Sequence, residues 1–251
     1  MSADVIDWGA ATTRGLVRAR NEDAWANVGH RVFVVADGMG GQPGGELAAR
    51  VAVGGVVSTA TSRGLEDWPT VIRRLNTQVR TAALAKGFPA AGTALAVACL
   101  QNGRVSIAHV GDTRVYQMRR GHLSCLTSDH TLEAELRAAG IDLSGRNPRG
   151  IPLFALTRHL GGADEKGVPD VTSFVPEAGD LLLLTSDGVS RQLRPDEIVD
   201  ACTLGSPADC QTIATELTAR ADLAGGRDNA TAIVARFGHH PLTCTMQPLP
   251  V

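Results

Sequence analysis

The sequence predicts an α+β fold in which antiparallel sheets pack against helices, on two observations. Predicted helices follow one another as a consecutive pair between strands and do not alternate regularly with them. Several predicted strands are joined by tight turns. A regular strand–helix alternation would favour a parallel sheet, whereas this order favours antiparallel sheets. The 251 residues suit one large domain or two small ones and are enough to bury a sizeable core.

Eight apolar segments rich in β-branched residues are predicted strands. Each shows period-two alternation or a continuous apolar run, the patterns of half-buried and fully buried strands. They lie near 4–10, 32–36, 94–101, 104–110, 113–118, 171–175, 180–185 and 230–236. Gln101-Asn102-Gly103 between two of them predicts a hairpin turn.

Five segments are predicted helices, near 44–62, 67–86, 131–139, 195–203 and 207–223. The second places Trp68, Val71, Ile72, Leu75 and Val79 on one face, at the i, i+3, i+4 spacing of a helix that packs on a core. Between helices and strands, the Gly-, Asn-, Pro- and Arg-rich segment 140–150 predicts a surface loop. Residues 239–251 have no clear period, so we predict a poorly ordered tail.

The bulk composition excludes several classes of function. The formal charge is −2, with 26 acidic and 24 basic residues, and aromatic residues make up 4%, so no nucleic acid or membrane partner is expected. No apolar run approaches the roughly 18 residues of a membrane span, and the N-terminus lacks a signal-peptide pattern. The five scattered cysteines form no C-x-x-C pair. Reduced thiols in a cytoplasmic protein are therefore expected.

Carboxylates stand at the ends of the most apolar predicted strands. Asp37, Asp112 and Asp187 follow strands, and Asp228 precedes the last one. Asp-Gly is a common turn signal, so each alone predicts only a turn. Four such carboxylates predict more than turns, because the ends of buried strands converge and would bring the carboxylates together. Clustered carboxylates stay ionised only beside a cation. Oxygen ligands without a His or Cys cluster predict Mg²⁺ or Mn²⁺.

The glycine-rich loop does not match two other glycine-loop motifs. The loop after Asp37 has Gly38-x-Gly40, but Pro43 stands where a dinucleotide fingerprint needs its third glycine, and no P-loop lysine follows. Upstream, Arg18 lies in R-A-R-N-E-D-A, which is too polar for a core strand. A guanidinium beside carboxylate-bound metal suits a phosphate. The alternative, a surface loop with local Arg–Glu pairs, remains open at this point.

The ordered set of short motifs resembles that of bacterial metal-dependent phosphatases of the protein phosphatase 2C (PPM) family. Together the motifs cover about residues 7 to 237. They are Arg18–Ala24 (RARNEDA), Ala36–Gly41 (ADGMGG), Gly92-Thr93, Gly111–Arg114 (GDTR), Leu126–Thr131 (LTSDHT), Leu156–Gly161 (LTRHLG), Ser186–Val189 (SDGV) and Asp228–Thr231 (DNAT).

The resemblance implies a four-layer α-β-β-α sandwich of two antiparallel sheets, formed by a catalytic domain over residues 1–238. It implies a centre of two Mn²⁺ or Mg²⁺ ions at one end of the sandwich. By motif, Asp37 would bridge both ions, the Gly38 carbonyl would bind one, and Asp187 and Asp228 would complete the ligands of the other. Asp112, with Asp187, matches a position that holds a weaker third ion in bacterial relatives.

The resemblance also implies the chemistry. A metal-activated water would attack the phosphorus in line, with Arg18 holding the substrate phosphate and Glu22 acting through a metal-bound water. No covalent phosphoenzyme is implied, and the chain has no C-x5-R motif of cysteine-based phosphatases.

Some positions depart from the family pattern. Met39 stands where some eukaryotic relatives carry a histidine proposed as general acid, which leaves the proton donor open, and a metal-bound water is the expected donor. His159 replaces a more usual alanine, and we predict a packing role, with a site role as the alternative. His109 and His130 are expected to make structural hydrogen bonds.

A flap over about residues 131–155 is expected to govern the access of protein substrates. Arg146 and Arg149 lie within it. They are expected to be solvated charges, with phosphopeptide contact as the alternative.

The leading hypothesis is a cytoplasmic, monomeric phosphoserine/phosphothreonine phosphatase that opposes a bacterial Ser/Thr kinase. Its partners would be that kinase and its phosphorylated substrates, with type VI secretion as one candidate setting. Two alternatives stay open: a pseudophosphatase that binds phosphoproteins without turnover, and a phosphatase for small phosphoesters.

Overall fold

The chain folds as a sandwich of two five-stranded antiparallel sheets with helices on both outer faces. This computed structural model describes residues 3–39, 44–62, 67–143, 150–203 and 209–239. The predicted tail from residue 240 onward lies outside the described residues, and so do Arg146 and Arg149 of the predicted flap. The predicted α+β sandwich is confirmed.

The first sheet joins the two ends of the chain to its middle. Its strand order is β1-β10-β9-β6-β7, so the first and last strands are neighbours. Its strands are β1 (Asp4–Thr13), β6 (Arg114–Arg119), β7 (His122–Cys125), β9 (Leu181–Thr185) and β10 (Ala230–Gly238).

The second sheet has the order β2-β3-β4-β5-β8. Its central strands are nearly continuous apolar runs, because one face packs on the other sheet and the opposite face packs on helices. Its strands are β2 (Ala24–Val28), β3 (Val32–Gly38), β4 (Thr93–Gln101), β5 (Arg104–Val110) and β8 (Asp170–Phe174).

The helices begin and end at residues that suit helix termini. In the second helix, Asp67 caps the N-terminus by accepting a hydrogen bond from Thr70 N at 3.0 Å. None of the described helices is long and apolar enough to cross a membrane. They are α1 (Gly45–Ser62), α2 (Trp68–Ala85), α3 (Leu132–Ala138), α4 (Asp187–Ser190), α5 (Pro195–Thr203) and α6 (Cys210–Leu223), with a 3-10 turn at Asp164–Gly167.

Three apolar cores define the four layers. Phe33, Ile107, Leu184 and Phe237 meet between the two sheets. Side chains of α1 and α2 pack on the outer face of the second sheet, and those of α5 and α6 pack on the outer face of the first. Burial of apolar surface in all three interlayer spaces holds the sandwich together.

The sequence prediction missed the 3-10 turn at Asp164–Gly167 and three further short elements. Strand β2 was hidden because its A-W-A-N-V sequence is half-buried and lacks clear alternation. Strand β7 has only four residues. Helix α4 begins at Asp187, where Asp-Gly had predicted a turn. These elements are formed by pairing and packing with distant parts of the chain, and local sequence does not encode that.

The strand register brings the predicted carboxylates to one end of the sandwich. Thr185, the last residue of β9, pairs with Ala232 near the start of β10 and with Arg114 at the start of β6. Asp187, Asp228 and Asp112 therefore leave the first sheet at the same edge. In the second sheet Asp37, near the end of β3, pairs with Ala94 at the start of β4. The antiparallel order thus gathers residues that are far apart in sequence.

The absence of a side chain at Gly9 sets the distance between β1 and α6. A Cβ atom there would lie 2.2 Å from Gln211 Cα, whereas a Cβ on Gly54 in α1 would meet nothing within 4 Å. We expect Gly9→Ala to lower the free energy of unfolding by about 1–3 kcal/mol through overpacking. Gly54→Ala, the matched control, should raise it by up to about 1 kcal/mol through helix propensity. Urea unfolding measures both, and equal effects would contradict the close approach.

Candidate metal centre

A cleft of about 260 Å³ opens at the end of the sandwich where the carboxylates converge. Five of the seven predicted site residues line it: Arg18, Asp37, Asp112, Asp187 and Asp228. The remaining lining residues are Met39, Ala94, Phe154, Ala155, Leu156 and Arg191. The structure therefore brings the predicted carboxylates and the predicted phosphate-binding arginine together.

Asp37 lies near the end of β3 and lines the cleft. Thr93 Oγ1 donates a hydrogen bond to its backbone carbonyl at 2.8 Å, which fixes the end of β3 against β4. Its carboxylate accepts a long hydrogen bond of 3.4 Å from the backbone N–H of Asp187. Burial raises the pKa of Asp37 well above its ordinary value, and the charge of Asp187 raises it further. The bare site therefore disfavours the ionised carboxylate.

The buried strand β3 ends in a glycine, Gly38, because no side chain fits at this position. A Cβ atom on Gly38 would lie 2.6 Å from the carbonyl of Gly45 and 2.7 Å from the carbonyl oxygen of Glu22. No side chain fits between these two segments. Glycine thus lets β3, the start of α1 and the Glu22 segment meet. Gly38 and Glu22, the two predicted residues outside the cleft lining, therefore lie close together at the end of β3.

Asp112 and Asp187 share a cationic partner that the sequence did not predict. Burial, followed by the charge of Asp187, raises the pKa of Asp112 to about 7. Burial also raises the pKa of Asp187, although the charge of Arg191 opposes that shift. Arg191 NH1 lies 3.0 Å from Asp187 Oδ2, and Arg191 NH2 donates a hydrogen bond to Asp112 Oδ2. A usable signal was the i, i+4 spacing of Asp187 and Arg191.

Arg18 faces the cleft in an ion pair with Asp228. Its NH2 atom donates a hydrogen bond to Asp228 Oδ2 at 2.6 Å. Burial acts to lower the pKa of Arg18, but the hydrogen bond that Arg18 donates to Asp228 and the charge of Asp228 outweigh burial and raise it. The exposed fractions of the two side chains are 33% and 31%. Such a half-exposed pair contributes at most about 1 kcal/mol, so another anion can replace Asp228 at little cost.

The structure also buries the carboxylate of Asp23, a residue that was quoted in the sequence motif but given no role. It accepts hydrogen bonds from Ser186 Oγ at 2.8 Å and Thr231 Oγ1 at 2.6 Å. Its Oδ1 atom is buried and has no hydrogen-bond partner among the described residues. Burial raises the pKa of Asp23 to about 7 despite the two hydroxyl donors. Asp23 thus ties the start of β2 to the end of β9 and the start of β10.

Asn229 holds the arginine-bearing loop in place. Its side-chain oxygen accepts a hydrogen bond from Glu22 N at 2.8 Å. Its Nδ2 atom donates to the carbonyls of Arg14 at 2.9 Å and Arg20 at 2.8 Å. Because these bonds span about two hundred residues of sequence, the role of Asn229 becomes visible only in the folded chain.

The histidines lie outside the cleft. His109 and His130 stack at 4.5 Å, and with Asp170 they bring three ligand atoms within 4.8 Å of one another. Their hydrogen bonds argue against a metal there, because His109 Nε2 bonds the Ser128 carbonyl at 2.8 Å and Gly111 N–H donates to His130 Nδ1 at 3.1 Å. Both neutral rings therefore carry their proton on Nε2. These are the structural hydrogen bonds that the sequence predicted.

His159 packs behind the cleft. Its Nδ1 atom lies 3.1 Å from the Leu160 carbonyl, and a Cβ atom on Gly92 would meet the ring at 2.7 Å. The ring is absent from the cleft lining. This placement supports the packing interpretation.

The donor set of the cleft fits hard divalent cations. The described lining offers carboxylate oxygens and contains no cysteine or histidine. Asp37, Asp112 and Asp187 all have raised pKa values in the bare protein, with burial as the leading cause. A bound cation would stabilise the ionised carboxylates, and Gly38 leaves room for a backbone carbonyl beside them.

Comparison with known proteins identifies the relatives of this chain. The Protein phosphatase 2C family profile matches residues 16–206. The serine/threonine protein phosphatase PstP of Mycobacterium tuberculosis is 31% identical over 243 residues, covering 92% of this chain and 45% of PstP. The chain thus spans less than half of that relative. Protein phosphatase PhpP of Streptococcus pneumoniae is 32% identical over 232 residues, covering 88% of this chain and 93% of PhpP.

Solved structures agree with this likeness. The catalytic domain of PstP in complex with two manganese ions superposes with a TM-score of 0.80 and 28% identity, covering 94% of this chain and 99% of that domain. PppA, named as a key regulatory component of the type VI secretion system in Pseudomonas aeruginosa, superposes with a TM-score of 0.76 and 26% identity, over 93% of this chain and 99% of PppA.

The buried Asp23 predicts an unusual pH dependence of the metal-free protein. Its pKa is about 7 in the folded protein and about 4 when unfolded, so the folded state binds the proton more tightly. The stability that protonated Asp23 contributes is complete below about pH 4 and is lost as the pH rises to about 7. We expect a loss on the order of 1 kcal/mol per pH unit in that window.

The measurement is urea unfolding in chelator at several pH values, compared with the isosteric Asp23→Asn variant. The variant lacks the titrating group, so the free-energy difference between the two proteins should change across the window. A constant difference would contradict the raised pKa.

Proposed function

The chain belongs to the protein phosphatase 2C family, and on that premise we propose that it hydrolyses phosphoserine and phosphothreonine in proteins at a centre of two Mn²⁺ or Mg²⁺ ions. One observation carries the proposal: the cleft that gathers Asp37, Asp187 and Asp228 beside Arg18. Carboxylates that hold divalent cations, next to a guanidinium that binds an oxyanion, are what phosphate-ester hydrolysis needs.

The residues that would hold the ions are the ones that the motifs indicate. Asp37, the Gly38 carbonyl, Asp187 and Asp228 would hold the two ions, and Glu22 would act through a water. When bound, the two cations would supply Lewis acidity and activate a water for attack on the phosphorus. Release of Asp228 from its pair with Arg18 would free both residues for these roles.

Arg18 would bind and orient the phosphate. Its planar guanidinium donates two parallel hydrogen bonds to an oxyanion, which places the phosphorus relative to the carboxylates. The half-exposed pair with Asp228 makes this exchange inexpensive. Met39, Ala94 and Leu156 in the lining carry no transferable proton. We propose that the departing serine or threonine oxygen takes its proton from a water.

We also propose the substrates, the opposing enzyme and the cellular compartment of this reaction. Relatives named as serine/threonine phosphatases support phosphorylated proteins as substrates and a Ser/Thr kinase as the opposing enzyme. The likeness to PppA supports type VI secretion as one candidate pathway. Four described cysteines are free, which suits a reducing cytoplasm. We propose that the protein acts there as a monomer.

The carboxylate ligands are tested by Asp187→Asn and Asp228→Asn. Each variant removes a negative charge from the proposed cation ligands, so kcat with Mn²⁺ should fall by at least about 100-fold. Asp196→Asn is the matched control, because Asp196 is exposed and pairs with Arg194 away from the cleft. Phosphate release from a phosphothreonine peptide is the measurement. Unchanged turnover in both ligand variants would reject the site.

Substrate class is tested with two compounds. We expect phosphate release from a phosphothreonine peptide with Mn²⁺ or Mg²⁺, none with chelator, and much weaker release from a sugar phosphate. A preference for the sugar phosphate would favour the small-phosphoester alternative. If neither compound is hydrolysed under any metal condition, binding of the phosphopeptide would identify a pseudophosphatase.

A further inference from the structure

Arg191 lies in the cleft between the two carboxylates to which the family resemblance assigns a third ion. One guanidinium nitrogen bonds Asp112 Oδ2 and another lies 3.0 Å from Asp187 Oδ2. The exposed fraction of the side chain is 7% for Asp112 and 16% for Asp187. Both carboxylates are therefore largely buried, and Arg191 neutralises them together.

We propose that the guanidinium of Arg191 takes the place of a third metal ion in this protein, so that its centre holds two ions and no third. The inference rests on the proposed two-metal phosphatase. A guanidinium that forms charge-assisted bonds with both carboxylates uses the oxygens that a third ion would need. A divalent ion at the same place would also meet the positive charge at close range.

The local sequence builds this arrangement. Helix α4 consists of one turn that starts at Asp187, and the Arg191 N–H donates to the Asp187 carbonyl at 2.8 Å. An acid four residues before a base is the favourable order for an ion pair along a helix. Asp112 reaches the same point because Gly111 takes a positive φ of 103°, which turns the chain from β5 towards β6.

The same guanidinium contacts the predicted flap. Its central carbon lies 4.6 Å from the centre of the Phe154 ring, a cation–π distance. Phe154 is 59% exposed, so its ring is held chiefly from one side. The neighbouring backbone is tied to α3, because Leu132 N donates to Ala155 O at 3.0 Å and Glu133 N donates to Leu153 O at 2.7 Å. Arg191 therefore links the carboxylate cluster to one wall of the cleft.

The decisive measurement is the number of Mn²⁺ ions bound per chain, from calorimetric titration of the metal-depleted protein. We expect two ions for the natural protein and three for Arg191→Gln, the third binding more weakly. Arg194→Gln is the matched control, because Arg194 lies three residues away and pairs with exposed Asp196 outside the cleft. It should bind two ions.

Asp112→Asn tests the same inference in two backgrounds, the natural protein and the Arg191→Gln variant. In the natural protein it should leave the count at two, because Asp112 binds Arg191 there. In the Arg191→Gln background it should return the count from three to two. A natural protein that binds three ions and loses one in Asp112→Asn would overturn the inference, and so would Arg191→Gln that folds and still binds two.

Failure of the two-metal phosphatase itself would look different. The natural protein would then bind no Mn²⁺, and Asp37→Asn would change nothing, which would overturn both proposals together. Two ions in the natural protein support the phosphatase whatever the Arg191 variants show.

The flap contact has its own readout. Amide hydrogen exchange over residues 153–156 should become faster in Arg191→Gln and in Phe154→Leu, and stay unchanged in Arg194→Gln. Phe154→Leu should keep two bound ions, since it leaves the pairs of Arg191 with Asp112 and Asp187 intact. Equal exchange rates in all four proteins would overturn the link between Arg191 and the flap.

Discussion

Negative charges that are buried together must be neutralised, and this constraint governs the end of the sandwich where the site lies. Asp23, Asp37, Asp112 and Asp187 are all withdrawn from water there, and each has a raised pKa with burial as the leading cause. A core without cations would favour their protonation. Cations at this end are therefore needed both for the chemistry and for the ionised state of the carboxylates.

The carboxylates at this end of the sandwich are neutralised by different cations. Arg191 has a fixed place, because an adjacent helical turn and a second carboxylate both hold it. Among the described ion pairs, Arg18 is held by Asp228 alone in a half-exposed pair, so it can exchange that partner for a phosphate. Asp37 has no arginine in contact with its carboxylate among the described ion pairs. Asp37 is thus the cleft carboxylate that depends most on divalent metal.

The sheets turn this local chemistry into a rigid site. The carboxylates of the cleft stand at or next to strand ends whose positions are fixed by antiparallel pairing and by the core between the sheets. Polar cross-links then join the strand ends, with Asp23 bonded to Ser186 and Thr231 across both sheets. A carboxylate placed this way cannot move away from its neighbours. The repulsion between the ionised carboxylates is therefore relieved by a bound cation.

The sequence alone determined the fold class, most strand and helix positions, and the carboxylates of the cleft, because apolar periodicity and Asp-Gly strand ends are local signals. The tertiary structure decided the rest. It showed that Asp23 is buried, that Asn229 holds the Glu22 segment, and that Arg191 joins Asp112 to Asp187. These roles depend on which distant residues meet, and strand register together with packing determines that only after the whole chain has folded.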